Sequence, residues 1–296
     1  MGIRIRSLTK NYRRHRALNR FSLDVQDGIF GLLGNNGAGK STLMKILATL
    51  LDYDEGEVEI FGYDLRKEPE EIRSLLGYLP QDFDFFPQLT LWETLDYFAD
   101  LKGLEKGRRR KEEIEWCLEQ VDLLGHARKR IKELSGGMKR RLGIAQALLG
   151  DPKLLIVDEP TAGLDPNQRI AFRNLLNRIS QGRVILLSTH IVPDISSTCE
   201  QVAIIRRGEC LYQGYIDTLL ESVEGKVWSV QTGMQHLDEL SRQVHILSIV
   251  RKREGIQVTF LSDDEKAAVL QAEPVSPSLE DAFVYLDHYC KGAYHA

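Results

Sequence analysis

Gly34-Asn35-Asn36-Gly37-Ala38-Gly39-Lys40-Ser41 matches the pattern G-x-x-x-x-G-K-[ST] without a gap, and each residue type in it answers a physical need. Glycines let successive backbone N–H groups curl around a phosphate that a Cβ would hold away. The spacing puts Lys40 within reach of the β- and γ-phosphates of a nucleotide and offers the Ser41 hydroxyl to a magnesium ion. Leu154-Leu155-Ile156-Val157-Asp158-Glu159 carries the other half of that chemistry, an apolar run closed by two acids. Asp158, at the tip, can hold a magnesium-bound water, while Glu159 is free to orient or deprotonate an attacking water. Paired acids are common in ordinary turns, so this pair draws its meaning from the loop upstream.

These groups can cooperate only if the fold gathers them, and the hydrophobic pattern says how. Ile29-Phe30-Gly31-Leu32-Leu33, Leu154–Val157 and Val184–Leu187 are continuous apolar runs, as strands buried on both faces require. The loop follows the first run and opens a helix with Leu43, Leu47 and Leu50 on one face, whose N-terminus adds positive potential. Ile3 and Ile5, then Phe21, Leu23 and Val25, then Val58 and Ile60, alternate with polar residues as half-buried strands do. From about Phe83 to Gly150 the period turns helical, with Leu91, Leu95 and Phe98 on one face and Ile114, Leu118 and Val121 on another. A helical stretch near Ile170–Ile179 lies between two buried runs, an order that implies parallel strands joined by right-handed crossovers. Val202–Ile205 and Cys210–Tyr212, joined at Arg207-Gly208, read as a hairpin.

The expected fold class is α/β. Residues 1–214 form a phosphate-loop NTPase core, a parallel sheet plus an antiparallel β layer, with a helical subdomain at about 83–150. Residues 215–296 form a small α+β accessory domain, with strands at Val227–Val230, His245–Val250 and Ile256–Phe260 and a final helix carrying Leu279, Ala282, Phe283 and Leu286. Ser276 before Pro277, or Ser278 with Asp281, caps that helix; the pattern permits either. Its apolar face either closes the small domain's own core or docks between two chains.

Composition removes several function classes. A net charge of −4 gives no general attraction to nucleic acid or anionic lipid. Arg108-Arg109-Arg110-Lys111 is followed at once by Glu112 and Glu113, so the basic cluster is expected to be a solvated helix face. No apolar run approaches the ~20 residues that cross a bilayer, and the start of the chain has no signal core. Cys117, Cys199, Cys210 and Cys290 lie far apart without metal or redox spacing and are expected to be buried, reduced thiols.

Leu134-Ser135-Gly136-Gly137-Met138 stands shortly before the second acid-tipped strand. Ser135 caps a helix whose apolar face is Met138, Leu142, Ala145 and Leu149, so hydroxyl, exposed N–H groups and helix dipole make a second anion site. With the two motifs above, this segment resembles the signature of the ATP-binding-cassette ATPases, L-S-G-G-Q, with Met138 in the last place. The resemblance covers positions 1 to about 214. It implies ATP and Mg²⁺ as cofactors and an ATP-hydrolysing function. Tyr12 would stack on adenine, and Asn36, Gly37, Ala38, Gly39, Lys40, Ser41 and Thr42 would wrap the phosphates. Gln81, after Gly77-Tyr78-Leu79-Pro80, would join the magnesium site to the helical subdomain, so Ser41, Gln81 and Asp158 form the metal set. Glu159 and His190 would be catalytic, with His190 contacting the γ-phosphate. Ser135, Gly136, Gly137 and Asp165 would meet the nucleotide of a partner cassette, because the second anion site cannot serve the first within one chain. A homodimer around ATP is therefore expected.

Pro277-Ser278-Leu279-Glu280-Asp281-Ala282-Phe283 is similar to the C-terminal helix start of bacterial cassettes of the drug, bacitracin and multidrug export type. That implies a subunit powering an exporter whose permease is a separate transmembrane chain, held at the inner face of the cell membrane, with no nucleic-acid partner. A soluble cassette ATPase of translation or DNA repair and an importer subunit are the competing functions. Phe83, Phe85, Phe86, Leu89 and Leu91 follow Gln81 and are either the helical subdomain's core or the seat of a coupling helix.

Overall fold

In the computed structural model the first unit of the chain is Met1–Gln213 and the second Gly214–Ala296. The structure describes residues 2–13, 15–253, 255–262, 264–289 and 294–295, with backbone alone at 264–266 and 294–295. In chain order, β1 (Ile3–Tyr12), β2 (His15–Val25) and β3 (Gly28–Leu33) lead into α1 (Lys40–Leu47). Then come β4 (Glu55–Ile60), β5 (Tyr63–Asp64), α2 (Pro69–Leu75) and β6 (Leu76–Leu79). The helices α3 (Leu91–Leu101), α4 (Arg108–Gln120) and α5 (Gly136–Leu148) follow, and the unit closes with β7 (Leu154–Asp158), α6 (Pro166–Ile179), β8 (Val184–Thr189), α7 (Val192–Ser196), β9 (Gln201–Arg206) and β10 (Glu209–Tyr215).

The alternating segments make one antiparallel sheet, in the order β2-β1-β4-β5. The continuous apolar runs make the other, in which β10-β9-β3-β8-β7-β6 are neighbours. Every residue of β7 and β8 is buried, as befits strands covered on both faces. Helix α1 buries Leu43, Met44, Ile46 and Leu47 in a core shared with Ile5, Phe21 and Leu23 of the antiparallel layer and Phe30, Ile156 and Leu186 of the parallel sheet. Leu50 does not join that face: α1 ends at Leu47, Thr49 turns left-handed at φ 58°, and Leu50 is 65 % exposed.

Register decides where the chemistry goes. β3 pairs parallel to β8 with Leu33 opposite Thr189, β7 to β8 with Asp158 opposite Ser188, and β6 to β7 with Leu79 opposite Val157. The segments leaving β3, β8, β7 and β6 therefore emerge at one edge, the carboxyl ends of the strands, where open α/β sheets bind ligands. The phosphate loop, His190, Glu159 and Gln81 are the residues carried by those four exits.

The basic cluster on α4 is not wholly solvated. Arg110 is buried, bonds the Asp100 carboxylate at 2.5 Å, pairs with Asp96 at 2.7 Å and donates to Leu104 O at 3.2 Å. Charge patterning misses this because Asp96 and Asp100 come from the neighbouring α3. Burying the guanidinium is tolerable only because carboxylates meet it.

The second unit runs α8 (Ile216–Val223), β11 (Val227–Thr232), α9 (Leu237–Gln243), β12 (His245–Lys252), β13 (Gly255–Leu261), α10 (Asp264–Val269), β14 (Glu273–Pro274) and α11 (Leu279–Tyr289). Its antiparallel sheet has the order β12-β13-β11-β14, and Leu240 packs with Ile256, Val258 and Phe260. Ser278 is the cap of α11: its hydroxyl accepts from the Asp281 N–H at 3.2 Å, and the Asp281 carboxylate accepts from the Ser278 N–H at 2.9 Å. α11 packs on α8, with Leu279, Ala282 and Leu286 buried, so covering this face needs no second chain.

Cys117, Cys199 and Cys210 are free and buried; Cys290 lies outside the described residues. Burial pushes the thiols of Cys117 and Cys210 up to about 12, and that of Cys199 higher still. At pH 8 such a thiol stays protonated and is a poor nucleophile. Iodoacetamide at pH 8 is expected to leave all three unmodified in the folded chain and to modify them in urea, with peptide mass spectrometry as the readout. Fast labelling of any of them without denaturant contradicts the packing.

Candidate functional site

The loop after β3 is shaped by what its glycines permit. Gly39 has φ +113°, and a Cβ there would come 2.6 Å from the Ala17 carbonyl oxygen. Gly34 is closer packed, because its Cβ would lie 2.4 Å from Ile205 O. With those approaches allowed, the chain turns directly into α1, and the free N–H groups of its first turn face the loop. Lys40 is buried at 5 % exposure. Its ammonium donates to Gly34 O at 2.7 Å and Asn35 O at 3.3 Å and pairs with Glu159 at 3.2 Å.

Glu159 reaches Lys40 through an unusual backbone. Its φ is 50°, a left-handed conformation costing a non-glycine residue about 1–3 kcal/mol, the kind of strain that persists where surroundings enforce it. The Glu159 N–H is anchored on Ser188 O at 3.0 Å. While Asp158 continues the strand direction, the reversal at Glu159 turns its carboxylate toward the loop. One oxygen faces Lys40 and the other lies 2.5 Å from His190 Nδ1. The result is a continuous chain of ammonium, carboxylate and imidazole, with Glu159 4 % and the His190 side chain 41 % exposed.

Asp158 is buried beside it. Desolvation raises its carboxyl above the ordinary range; bonds from the Ser188 and Ser41 hydroxyls pull the other way, and the nearby Glu159 charge adds to the rise. A buried carboxylate next to a hydroxyl is a hard oxygen donor set short of a positive charge. Among the described residues no group of three or more His, Cys, Asp or Glu side chains clusters to hold a metal. That donor set suits magnesium, which takes one or two carboxylates together with substrate phosphates, rather than zinc.

A cavity of about 360 Å³ is lined by Tyr12, His15, Ala17, Asn36, Gly37, Gly39, Lys40, Ser41, Thr42, Gln81 and Glu159. It spans from the aromatic ring of Tyr12, 43 % exposed with Lys10 5.7 Å from its centre, to the buried acid. A flat base against the ring and phosphates on the loop match that layout. Asp158 lies behind Ser41, and His190 joins through Glu159. Ser135, Gly136, Gly137 and Asp165 do not line this cavity. Ser135 caps α5, accepting from the Met138 N–H at 3.3 Å, and Ser135 and Gly136 are exposed. Asp165 caps α6 through the Gln168 N–H at 2.9 Å.

His15 and Ala17 line the cavity without having been expected there, and two polar residues that support the site also escaped sequence reasoning. Ser188 bonds Asp158 across paired strands, which nothing local to either residue signals. Arg140, one turn into α5, donates to the Gln81 carbonyl at 2.7 Å and lies over the Phe83 ring at 5.2 Å. It ties the helix that Ser135 caps to the segment that carries Gln81. Its position five residues after Ser135 was the available signal, and it reads as one more solvated arginine without the fold.

A family model described as ABC transporter matches residues 18–162. The chain is 35 % identical over 297 residues to the uncharacterised ABC transporter ATP-binding protein YxlF of Bacillus subtilis (strain 168), covering 96 % of this chain and 99 % of that one. It is 34 % identical over 210 residues to the linearmycin resistance ATP-binding protein LnrL of the same organism, covering 70 % of this chain and 67 % of that one. Among solved structures, the dimeric structure of MJ0796, a bacterial ABC transporter cassette, matches with a TM-score of 0.64 at 25 % identity, over 72 % of this chain and 98 % of that one.

Proposed function

The chain belongs to the ABC transporter family, and on that premise we propose that it is the ATP-hydrolysing subunit of an exporter whose membrane-spanning part is a separate chain. The observation that carries the reading is the Glu159 carboxylate, fixed between Lys40 and His190 at the wall of the cavity over the phosphate loop. In this reading Tyr12 stacks on adenine, and the backbone from Asn36 to Thr42 receives the phosphates. An incoming polyanion competes with Glu159 for Lys40, so the ammonium moves to the phosphates and the carboxylate is released to a water. Glu159 takes a proton from that water as its oxygen bonds the γ-phosphorus; the bond to the β–γ bridging oxygen breaks, giving ADP and phosphate. His190, held by Nδ1, keeps Nε2 toward the γ-phosphate. Ser41, Gln81 and Asp158 would hold magnesium, which supplies charge neutralisation at the β- and γ-oxygens.

Ser135, Gly136, Gly137 and Asp165 are outside this cavity and sit at the N-terminal ends of two helices, so they are assigned to the nucleotide of a second copy. The dimeric MJ0796 cassette supports that pairing. Ser135→Arg is expected to bind ATP with normal affinity and to lose steady hydrolysis, since bulk at the helix start blocks closure without touching the chain's own loop. Full activity of this variant in dilute solution would rule out the two-chain site.

Export as the direction rests on the resistance function named for LnrL. A membrane partner chain is supported by Phe86 and Tyr97, which meet edge to face at 5.9 Å and stay 57 % and 43 % exposed. Exposed aromatic pairs of this kind suit a protein partner. Affinity purification from detergent-solubilised membranes of the native host tests it. A hydrophobic chain is expected to copurify with the wild type and to be lost with Phe86→Asp; ribosomal or DNA-repair proteins in its place would favour the soluble class.

A further inference from the structure

The second unit contains a cavity of about 430 Å³ with a lining opposite in character to the chain as a whole. The protein carries a net charge of −4, yet among the described residues no carboxylate lines this cavity, while Lys226, Arg242, His245 and His288 all do. Lys226 and Arg242 are exposed and make no ion pair with any described residue. The two imidazoles stack with ring centres 4.1 Å apart and planes 29° from parallel. Tyr285 and Tyr289 add a second stack at 5.3 Å and 27°. Four basic side chains from four segments, converging beside two ring pairs, repel one another whenever a histidine is charged. Burial of His245 and the adjacent His288 both hold the His245 pKa below its usual value. An anion entering the cavity would reverse every one of those repulsions, and ring faces at the wall offer a flat body a place to lie.

We infer that this cavity binds a small organic anion, a carboxylate or phosphate carried on a planar ring. Lys226 and Arg242 supply the charge, the histidines donate hydrogen bonds, and the aromatic stack receives the ring. The inference does not depend on ATP cleavage, because none of these residues belongs to the nucleotide cavity.

The test uses the full chain with isotope-labelled histidine, its His245 and His288 signals assigned through His245→Gln and His288→Gln. Benzoate and phenyl phosphate are titrated separately, with phenol as the neutral control. Saturable shifts of both signals with at least one anion, and none with phenol, are expected. The tighter arm identifies the headgroup as carboxylate or phosphate. Benzoate affinity should rise as the pH falls toward the lowered pKa of His245, which gains a proton while facing Lys226, Arg242, His288, Tyr285 and Tyr289 and, among the described residues, no acid. Lys226→Ala with Arg242→Ala should weaken binding about tenfold while ATPase activity and melting stay at wild-type values, both side chains being exposed. Absence of saturable shifts with both anions, equal binding of phenol, or undiminished affinity in the double variant overturns the assignment.

Discussion

Glu159→Gln is expected to lower steady ATP turnover by about 10²–10⁴-fold, the range typical of losing a general base, while ATP affinity changes little. The amide keeps the size of the side chain and can still bond His190, so the left-handed turn at position 159 should survive. What it loses is the capacity to accept a proton from water. Nucleotide that binds but is not cleaved should hold two chains together, so the variant with Mg-ATP should elute earlier in size-exclusion chromatography than without it. A variant that turns over at the wild-type rate would remove Glu159 from the chemistry. One that fails to bind ATP would mean that its role is structural.

Lys40→Ala strikes an earlier step and should weaken ATP binding by about 30-fold or more, corresponding to the 2–5 kcal/mol typical of truncating one partner of a buried charged contact. It should also lower the melting temperature without nucleotide. Glu159 is 4 % exposed, and removing Lys40 leaves its carboxylate, among the described residues, His190 alone as a counter-group. The two effects can be separated by a double-mutant cycle. Adding Glu159→Gln to Lys40→Ala should restore part of the thermal stability, since the buried Glu159 charge is then no longer left without its ammonium, and should restore none of the ATP affinity. Unchanged affinity in Lys40→Ala, measured with a fluorescent ATP analogue, would disprove the placement of phosphates on this loop.

Much of this was legible because buried strands announce themselves. Leu154–Val157 and Val184–Leu187 are too apolar for any other place in a fold of this size, and parallel pairing then puts Asp158 and the residues after Thr189 at one edge. The loop at Gly34 was legible because few sequences besides a phosphate cradle need that density of glycine before a helix. Other features depend on distance rather than pattern. The reversal at Glu159 is a backbone angle, and nothing in Asp-Glu-Pro spells it. Burial of Arg110 comes from α3 lying alongside α4, and the Arg140 bond to Gln81 joins segments that no local period connects. Leu50 failed to join its helix face because a helical pattern continues on paper after the backbone has turned at Thr49. At Ser278 two caps fitted equally well until the reciprocal bonds with Asp281 chose one.

The common edge of the parallel sheet also has a kinetic meaning. β3 pairs with β8, and β6 with β7, across stretches of chain that include whole helices. Closing such loops costs entropy before any contact repays it, so these pairings belong to the slow part of folding. The nucleotide cavity draws on the exits from β3, β6 and β7, and so it cannot exist in any partly zipped intermediate. Competence to bind ATP should then arrive last in refolding, after helix content and compactness have returned. On a ribosome, a nascent chain would stay blind to nucleotide until β7 and β8 had both emerged.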